Sequence, residues 1–378
     1  MEEIDKRLMP FAVRQMDDLY ALQARSGLDA VIVDLSRIKL QGLAHLAIRM
    51  GCNALVEGGT LTLRDTSASG AQAITPLLIG WPSLRALAIR ALAHDCRLEH
   101  GATLGEMVFT RTAPALAPGW SAGIIFSGQD KELPALYRCL DGLVAQAELL
   151  SDTGEILVCG PTRDIAFLQN YPQVRYVVYD IAADHQGPFP ISAKKNYLIR
   201  AMRFDRRLVL HARIVMEPGA LAAAPVEFDI LAPNVIHRSG NGEEANIGLI
   251  TIDPGWPDAV PRRFERSTLN VCAVEYLRLM AHGRPYVDGG AFAVSARVFN
   301  ACPLEDGLLW GDCEDVEWSF RAQTLGFAID MCPQMTAVNT VSKTRTLEAL
   351  PRPVAHALRA GNRAVRMLRN LGVRYSGS

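Results

Sequence analysis

Several features that would settle the class of this chain at once are missing. No segment approaches the roughly eighteen uninterrupted apolar residues that a membrane-spanning helix needs, and the acidic start Met1-Glu2-Glu3 is unlike a signal peptide. Neither sign of charge is in excess. The 39 basic and 40 acidic residues leave a formal net charge of −1, which argues against a nucleic-acid binder with a basic face. The eight cysteines (Cys52, Cys96, Cys139, Cys159, Cys272, Cys302, Cys313, Cys332) form no CxxC pair and have no histidine at zinc spacing. Several sit in apolar runs such as Ile156-Leu157-Val158-Cys159, where a thiol behaves as a small hydrophobe. That pattern points to a reducing, cytoplasmic setting and not to a disulfide framework. No internal repeat is present.

What remains is a globular composition, 49% apolar over 378 residues, long enough for two domains. Residues 1–118 read as alternating strands and helices. Asp29 to Asp34 is a buried-strand run, helical periodicity covers about Lys39 to Met50, and Gly59 to Asp65 is a second strand. A helix near Trp81 to His94 and a strand at Glu106 to Thr110 follow, and Pro114, Pro118 and Gly119 mark a linker. The run Asp29 to Asp34 with Gly58-Gly59-Thr60-Leu61 resembles the second half of a class I S-adenosylmethionine methyltransferase. Nothing before Asp29 supplies that family's glycine-rich cofactor loop, so the segment reads as a remnant or adaptor domain. The alternative is half of a methyltransferase completed by another chain.

A second α/β unit covers residues 119–340. Strands are expected at Ala122 to Phe126, Glu155 to Cys159, Val174 to Asp180 and Arg207 to His211. The helices between them run from about Glu132 to Leu150 and Lys194 to Met202. Strands alternating with helices at this spacing make a mainly parallel sheet with right-handed crossovers. Ligands in such sheets bind beyond the carboxyl ends of the strands, so Ser127, Gly160, Asp180 and His211 are expected to face one crevice. Pro233 to Pro261 reads as irregular and loop-rich, with order returning around Tyr286 to Phe327. From about 341 to 378 the chain becomes a basic, helically patterned tail (Arg352, Arg359, Arg363, Arg366, Arg369). Such a tail either docks on the domain or makes peripheral contact with anionic lipid.

The densest chemistry lies at Asp312, Glu314, Asp315 and Glu317, four carboxylates within six residues at the mouth of a helical pattern. Asp312 is a candidate N-cap, and acids in a first turn oppose the helix dipole for about 0.3–1 kcal/mol each. Four together repel one another, which a capping role does not call for. Gly289-Gly290 lies upstream; an αL turn and a close approach of backbone to a ligand both call for glycine. Together with Ser127-Gly128, Glu155 to Val158, Lys194-Lys195-Asn196, Arg321 and Gly326, these residues make 120–340 resemble a family 2-type glycosyltransferase of the GT-A fold.

That resemblance implies a GT-A α/β architecture and inverting transfer of a sugar from a nucleotide sugar to a glycan or lipid-linked glycan. Asp315 would be the general base and Glu314 would position acceptor hydroxyls. Donor contacts would come from Ser127, Gly128, Gly160, Asp180, Lys194, Asn196, His211 and Arg213, with Lys195 assisting. Acceptor contacts would come from Gly289, Gly290, Trp310, Asp312 and Glu317. Trp318 is expected in the core. The family's metal-binding Asp-x-Asp position reads Leu210-His211-Ala212-Arg213 here. His211 can still ligate Mg²⁺ or Mn²⁺ through a ring nitrogen, with the metal held partly by distant carboxylates such as Asp180, or Arg213 can replace the ion by pairing with the diphosphate. A third outcome is a catalytically silent binding module.

Overall fold

In the computed structural model the described residues are 11–13, 16–37, 41–65, 81–99, 105–183, 185, 188–238, 244–246, 249–252, 262–263 and 284–340. The basic tail and its proposed lipid contact lie outside them.

The first unit is built on a five-stranded sheet. Its elements are β1 (Phe11–Val13), α1 (Met16–Gln23), β2 (Leu28–Asp34), α2 (Gln41–Asn53), β3 (Leu55–Arg64), α3 (Trp81–Leu92), β4 (Cys96–Leu98) and β5 (Glu106–Arg111). The strand order is β1-β2-β3-β5-β4. The pairs β1·β2 and β2·β3 are parallel, and β5 is antiparallel to both of its neighbours. Val31, Val33, Leu61 and Leu63 are fully buried, on alternating positions of parallel strands covered by helices.

The second unit opens with β6 (Trp120–Ile125), α4 (Leu133–Val144), α5 (Ala147–Leu150), β7 (Gly154–Gly160), β8 (Val174–Val178), α6 (Ile191–Arg200), β9 (Arg206–His211) and β10 (Ile214–Met216). It continues with β11 (Ile230–Arg238), β12 (Glu244–Asn246), β13 (Leu249–Ile252), β14 (Arg262–Arg263), β15 (Arg284–Val287) and β16 (Ala291–Ser295). α7 (Ala296–Ala301), α8 (Glu314–Thr324) and β17 (Ile329–Asn339) follow. The large sheet has the order β10-β17-β11-β16-β9-β6-β7-β8, with β12 appended to β11. Strands β8, β7, β6 and β9 are mutually parallel, and β16 runs against both β9 and β11. This is the mixed sheet flanked by helices that the resemblance implied, but it is not mainly parallel: among the described residues four of its strand pairs are parallel and four antiparallel.

Two further expectations are corrected. The expected long helix after residue 132 is interrupted near Gln146, whose buried amide donates to the carbonyls of Gly142 and Glu217 at 2.9 Å each. The stretch from Pro233 is not loop: β11 sits in the middle of the large sheet. Proline lacks the N–H a central strand needs, but the register with β17 shifts between Pro233 and Asn234, and the bulge absorbs it.

Buried side chains of both units belong to one hydrophobic cluster, from Leu84 and Ala88 to Phe327 and Ile329. The contact is also ionic. Arg49 of α2 donates to both oxygens of Asp229 at 2.8 and 2.7 Å and pairs with Asp95 at 2.6 Å. Arg297 of α7 reaches Asp95 at 3.3 Å and Asp229 at 3.2 Å, and Asp229 also accepts the Ala328 N–H at 2.9 Å. The first unit therefore holds the chain where it leaves α8.

Candidate active site

A cleft of about 570 Å³ opens beyond the carboxyl ends of β6 and β9, lined by Ile125, Ser127, Lys131, His211, Arg213 and Trp310 among others. Parallel strands put it there: β6 ends at Ile125 beside His211 in register, so the residues that follow both strands form its floor. Ser127 is oriented by its N–H, which donates to Glu132 at 3.1 Å. Trp310 stands at the mouth, 57% exposed, with its backbone N–H on the Phe189 carbonyl at 2.8 Å. Arg213 enters from beyond β9 with its Nε buried and without a hydrogen-bond partner among the described residues.

The acidic residues sit next door, across Gly289-Gly290. Asp315 Oδ2 accepts the Gly289 N–H at 2.8 Å, and Glu314 pairs with the fully buried Lys195 at 2.7 Å. A Cβ on Gly289 would lie 2.7 Å from Lys195 Nζ, 2.9 Å from Glu314 Oε1 and 3.1 Å from Asp315 Oδ2. One on Gly290 would lie 2.8 Å from Asp288 Oδ1, 3.3 Å from Arg213 Nη2 and 3.7 Å from His211 Nδ1. Consecutive Cα atoms are about 3.8 Å apart, so the acids and the guanidinium approach opposite ends of one dipeptide. Neither glycine has a positive φ. The αL turn expected there is absent, and the glycines serve by leaving room.

Burial pushes the Asp315 carboxyl above its ordinary value, and the neighbouring Glu314 and Asp288 charges add to the rise. Lys195 and the Gly289 N–H oppose it. A carboxylate raised in this way is a better proton acceptor than a solvated one. The backbone entering α8 is also unusual. Cys313, the N-cap, has φ 58° with no side-chain capping bond, and it is the one non-glycine positive φ among the described residues. Such strain concentrates at functional sites.

The other candidates fall elsewhere. Asp312 is not the N-cap: Cys313 takes that place, and the Asp312 carboxylate accepts the Leu309 N–H at 2.9 Å at the surface. Glu317 forms a two-bond pair with Arg321 at 2.6 and 3.0 Å. Asn196 spends its amide on Leu304, through donor and acceptor bonds, and on Asp306. Lys194 donates to the Phe126 carbonyl at 2.6 Å and lies over the Phe189 and Tyr179 rings, and burial lowers its pKa. Asp180 and Gly160 do not line the cleft. Asp180 accepts from the Thr162 N–H and hydroxyl, which holds its carboxyl below the usual range, and Gly160 makes room for the Tyr176 hydroxyl. Gly128, at φ 87°, packs against Pro161. Trp318 is fully buried, its indole N–H on the Cys302 carbonyl at 2.7 Å. Sequence reasoning missed Lys131, Phe189 and Asp288. Only Asp288 carried a signal, its position directly before the glycine pair.

Among the described residues, those around His211 do not make up a divalent-metal site. Among the described residues no group of three or more His, Cys, Asp or Glu side chains converges. Around Gly290 the nearest side-chain atoms are Asp288 Oδ1, Arg213 Nη2 and His211 Nδ1, and that Asp288 oxygen already accepts the Gly290 N–H at 2.7 Å. Hard divalent ions take several oxygen ligands at once, and one carboxylate with an imidazole is a poor set for them.

No protein-family model and no curated protein matches the chain. Among solved structures it is similar to residues 1–349 of S. aureus TarS at 11% identity and TM-score 0.40, covering 59% of this chain and 60% of that one. It is similar as well to mannosyltransferase PcManGT from Pyrobaculum calidifontis in complex with GDP-Man and Mn²⁺. There the identity is 12% and the TM-score 0.40, covering 67% of this chain and 68% of that one. The TarS fragment in complex with UDP-GlcNAc gives 13% and 0.39, covering 60% and 58%. Of these names, mannosyltransferase is the one that states an activity, and it belongs to that protein. Likeness this distant assigns no activity; the site geometry has to.

Proposed function

We propose that the chain is an inverting glycosyltransferase that moves a hexose from a nucleotide sugar to a hydroxyl of a glycan or lipid-linked glycan. The observation that carries this reading is the placement of Asp315. Its carboxyl is raised by burial and fixed by the Gly289 N–H, on the far side of Gly289-Gly290 from an Arg213 guanidinium at a cleft. The nucleotide diphosphate would lie in the cleft, with its sugar over the glycine pair. Asp315 takes the proton of the acceptor hydroxyl as that oxygen attacks the anomeric carbon from the face opposite the leaving group. The bond from that carbon to the diphosphate breaks in the same step, so the configuration inverts. Glu314, held by Lys195, orients the acceptor. Arg213 meets the charge that develops on the leaving diphosphate, the task a metal would otherwise perform.

The test is turnover and thermal stabilisation with a panel of nucleotide sugars, with and without chelator, for the native chain and Arg213→Ala. The expected outcome is transfer that changes less than about twofold with chelator and falls about 10²–10³-fold in Arg213→Ala. Strict Mn²⁺ dependence with an indifferent Arg213 would overturn the metal-free arrangement. A second reading, a silent binding module, is favoured by the loss of both carboxylates at His211-Ala212-Arg213. Nucleotide diphosphate binding by calorimetry without any turnover would select it.

A further inference from the structure

Two thiols far from the cleft meet inside the first unit. Cys52, at the end of α2, and Cys96, at the start of β4, have their sulfurs 3.3 Å apart, and both are free. A disulfide needs about 2.05 Å, so a shift of little over an ångström joins them. Cys52 is fully buried, whereas Cys96 is partly exposed and gives a small oxidant a way in. The contact with Cys96 lowers the Cys52 pKa, aided by Arg49 and Arg111, while burial and the Asp95 charge oppose it.

We propose that Cys52 and Cys96 form a redox modification site that closes reversibly to a disulfide. The Cys52 thiolate attacks a peroxide oxygen, the O–O bond breaks, and hydroxide leaves with a sulfenic acid at Cys52. The Cys96 thiol then loses its proton and attacks that sulfur; the S–O bond breaks and water leaves. Two thiols and one hydrogen peroxide become one disulfide and two waters, the cysteines supplying two electrons. A thiol reductant reverses the change. The position gives the bond leverage. Asn53, next to Cys52, accepts from Arg297 at 3.2 Å, and Asp95, next to Cys96, pairs with Arg49 and Arg297. Oxidation therefore ties together the two edges of the ionic network that holds the second unit.

The test treats the folded full chain with hydrogen peroxide, followed by alkylation under denaturing conditions and peptide mapping without reductant. Exposed Cys313 reports that oxidant reached the protein. The expected result is a Cys52–Cys96 cross-linked peptide and a rise in Tm of roughly 5 °C, both undone by dithiothreitol and both absent in Cys96→Ala. Oxidation of Cys313 while Cys52 and Cys96 are both recovered alkylated would overturn the proposal. So would the same Tm rise in Cys96→Ala.

Discussion

Two buried clusters of charge stand in this molecule, and they are built in opposite ways. At the junction of the two sheets, the guanidinium groups of Arg49 and Arg297 face the carboxylates of Asp95 and Asp229, with distances of 2.6 to 3.3 Å, and the charges cancel. Burial alone would raise Asp229, but Arg49 and Arg297 outweigh it and hold its pKa at about 2. At the start of α8, Asp288, Glu314 and Asp315 gather around Gly289-Gly290, Lys195 pairs with Glu314, and Asp315 has no ion pair among the described residues. Its pKa goes up. A structural cluster is balanced because imbalance costs stability. On the proposed reading, the cluster left unbalanced is the one whose charge is used on a substrate that comes and goes.

The largest expected break in that contrast is Asp229→Ala. It leaves two guanidinium groups facing one carboxylate in the core and should destabilise by about 3–5 kcal/mol in denaturant unfolding. A loss under about 1 kcal/mol would mean that the junction is not held by charge. Next comes Gly289→Ala, whose added methyl meets Lys195, Glu314 and Asp315 at 2.7 to 3.1 Å. Overpacking of this kind costs about 1–3 kcal/mol, and turnover should fall further than stability, because the carboxylate itself must move. Full activity in that variant would show that the glycine pair leaves more room than the proposed site requires.

A finer comparison uses pH. Asp229 has a folded pKa of about 2, below its unfolded value near 3.9. Its contribution, about 2–3 kcal/mol, is present above the unfolded value and lost as pH falls through 2. Asp315 has the opposite sign. Its folded pKa is raised, so the folded state holds the proton longer and stability falls as pH rises from the unfolded value through the folded one. Asp315→Asn should therefore leave Tm at neutral pH unchanged or slightly higher, while Asp229→Asn lowers it. Equal losses in both variants, followed by thermal unfolding from pH 3 to 8, would erase the distinction.

Much of the frame was legible in the chain itself. Strands β6, β7 and β9 announce themselves as apolar runs closed by glycine, serine or histidine, and the acidic mouth of α8 reads directly from four carboxylates before a helical pattern. What stayed hidden was set by contacts between distant residues. Pro233 disguises a central strand as a loop, because the bulge that admits it depends on the pairing with β17. Asp312 has an N-cap's composition but loses the position to a strained Cys313. Lys194 and Asn196, read as donor contacts from their place before β9, are consumed by Phe126, Leu304 and Asp306. The ionic junction joins residues 180 positions apart, beyond the reach of any local pattern.

The proton acceptor is best tested by measuring sugar transfer and thermal unfolding side by side for the native chain and Asp315→Asn, at saturating donor. A base at position 315 predicts a loss of about 10²–10⁴-fold in transfer with nucleotide-sugar binding and Tm retained. Transfer at the native rate by the folded asparagine variant would contradict it.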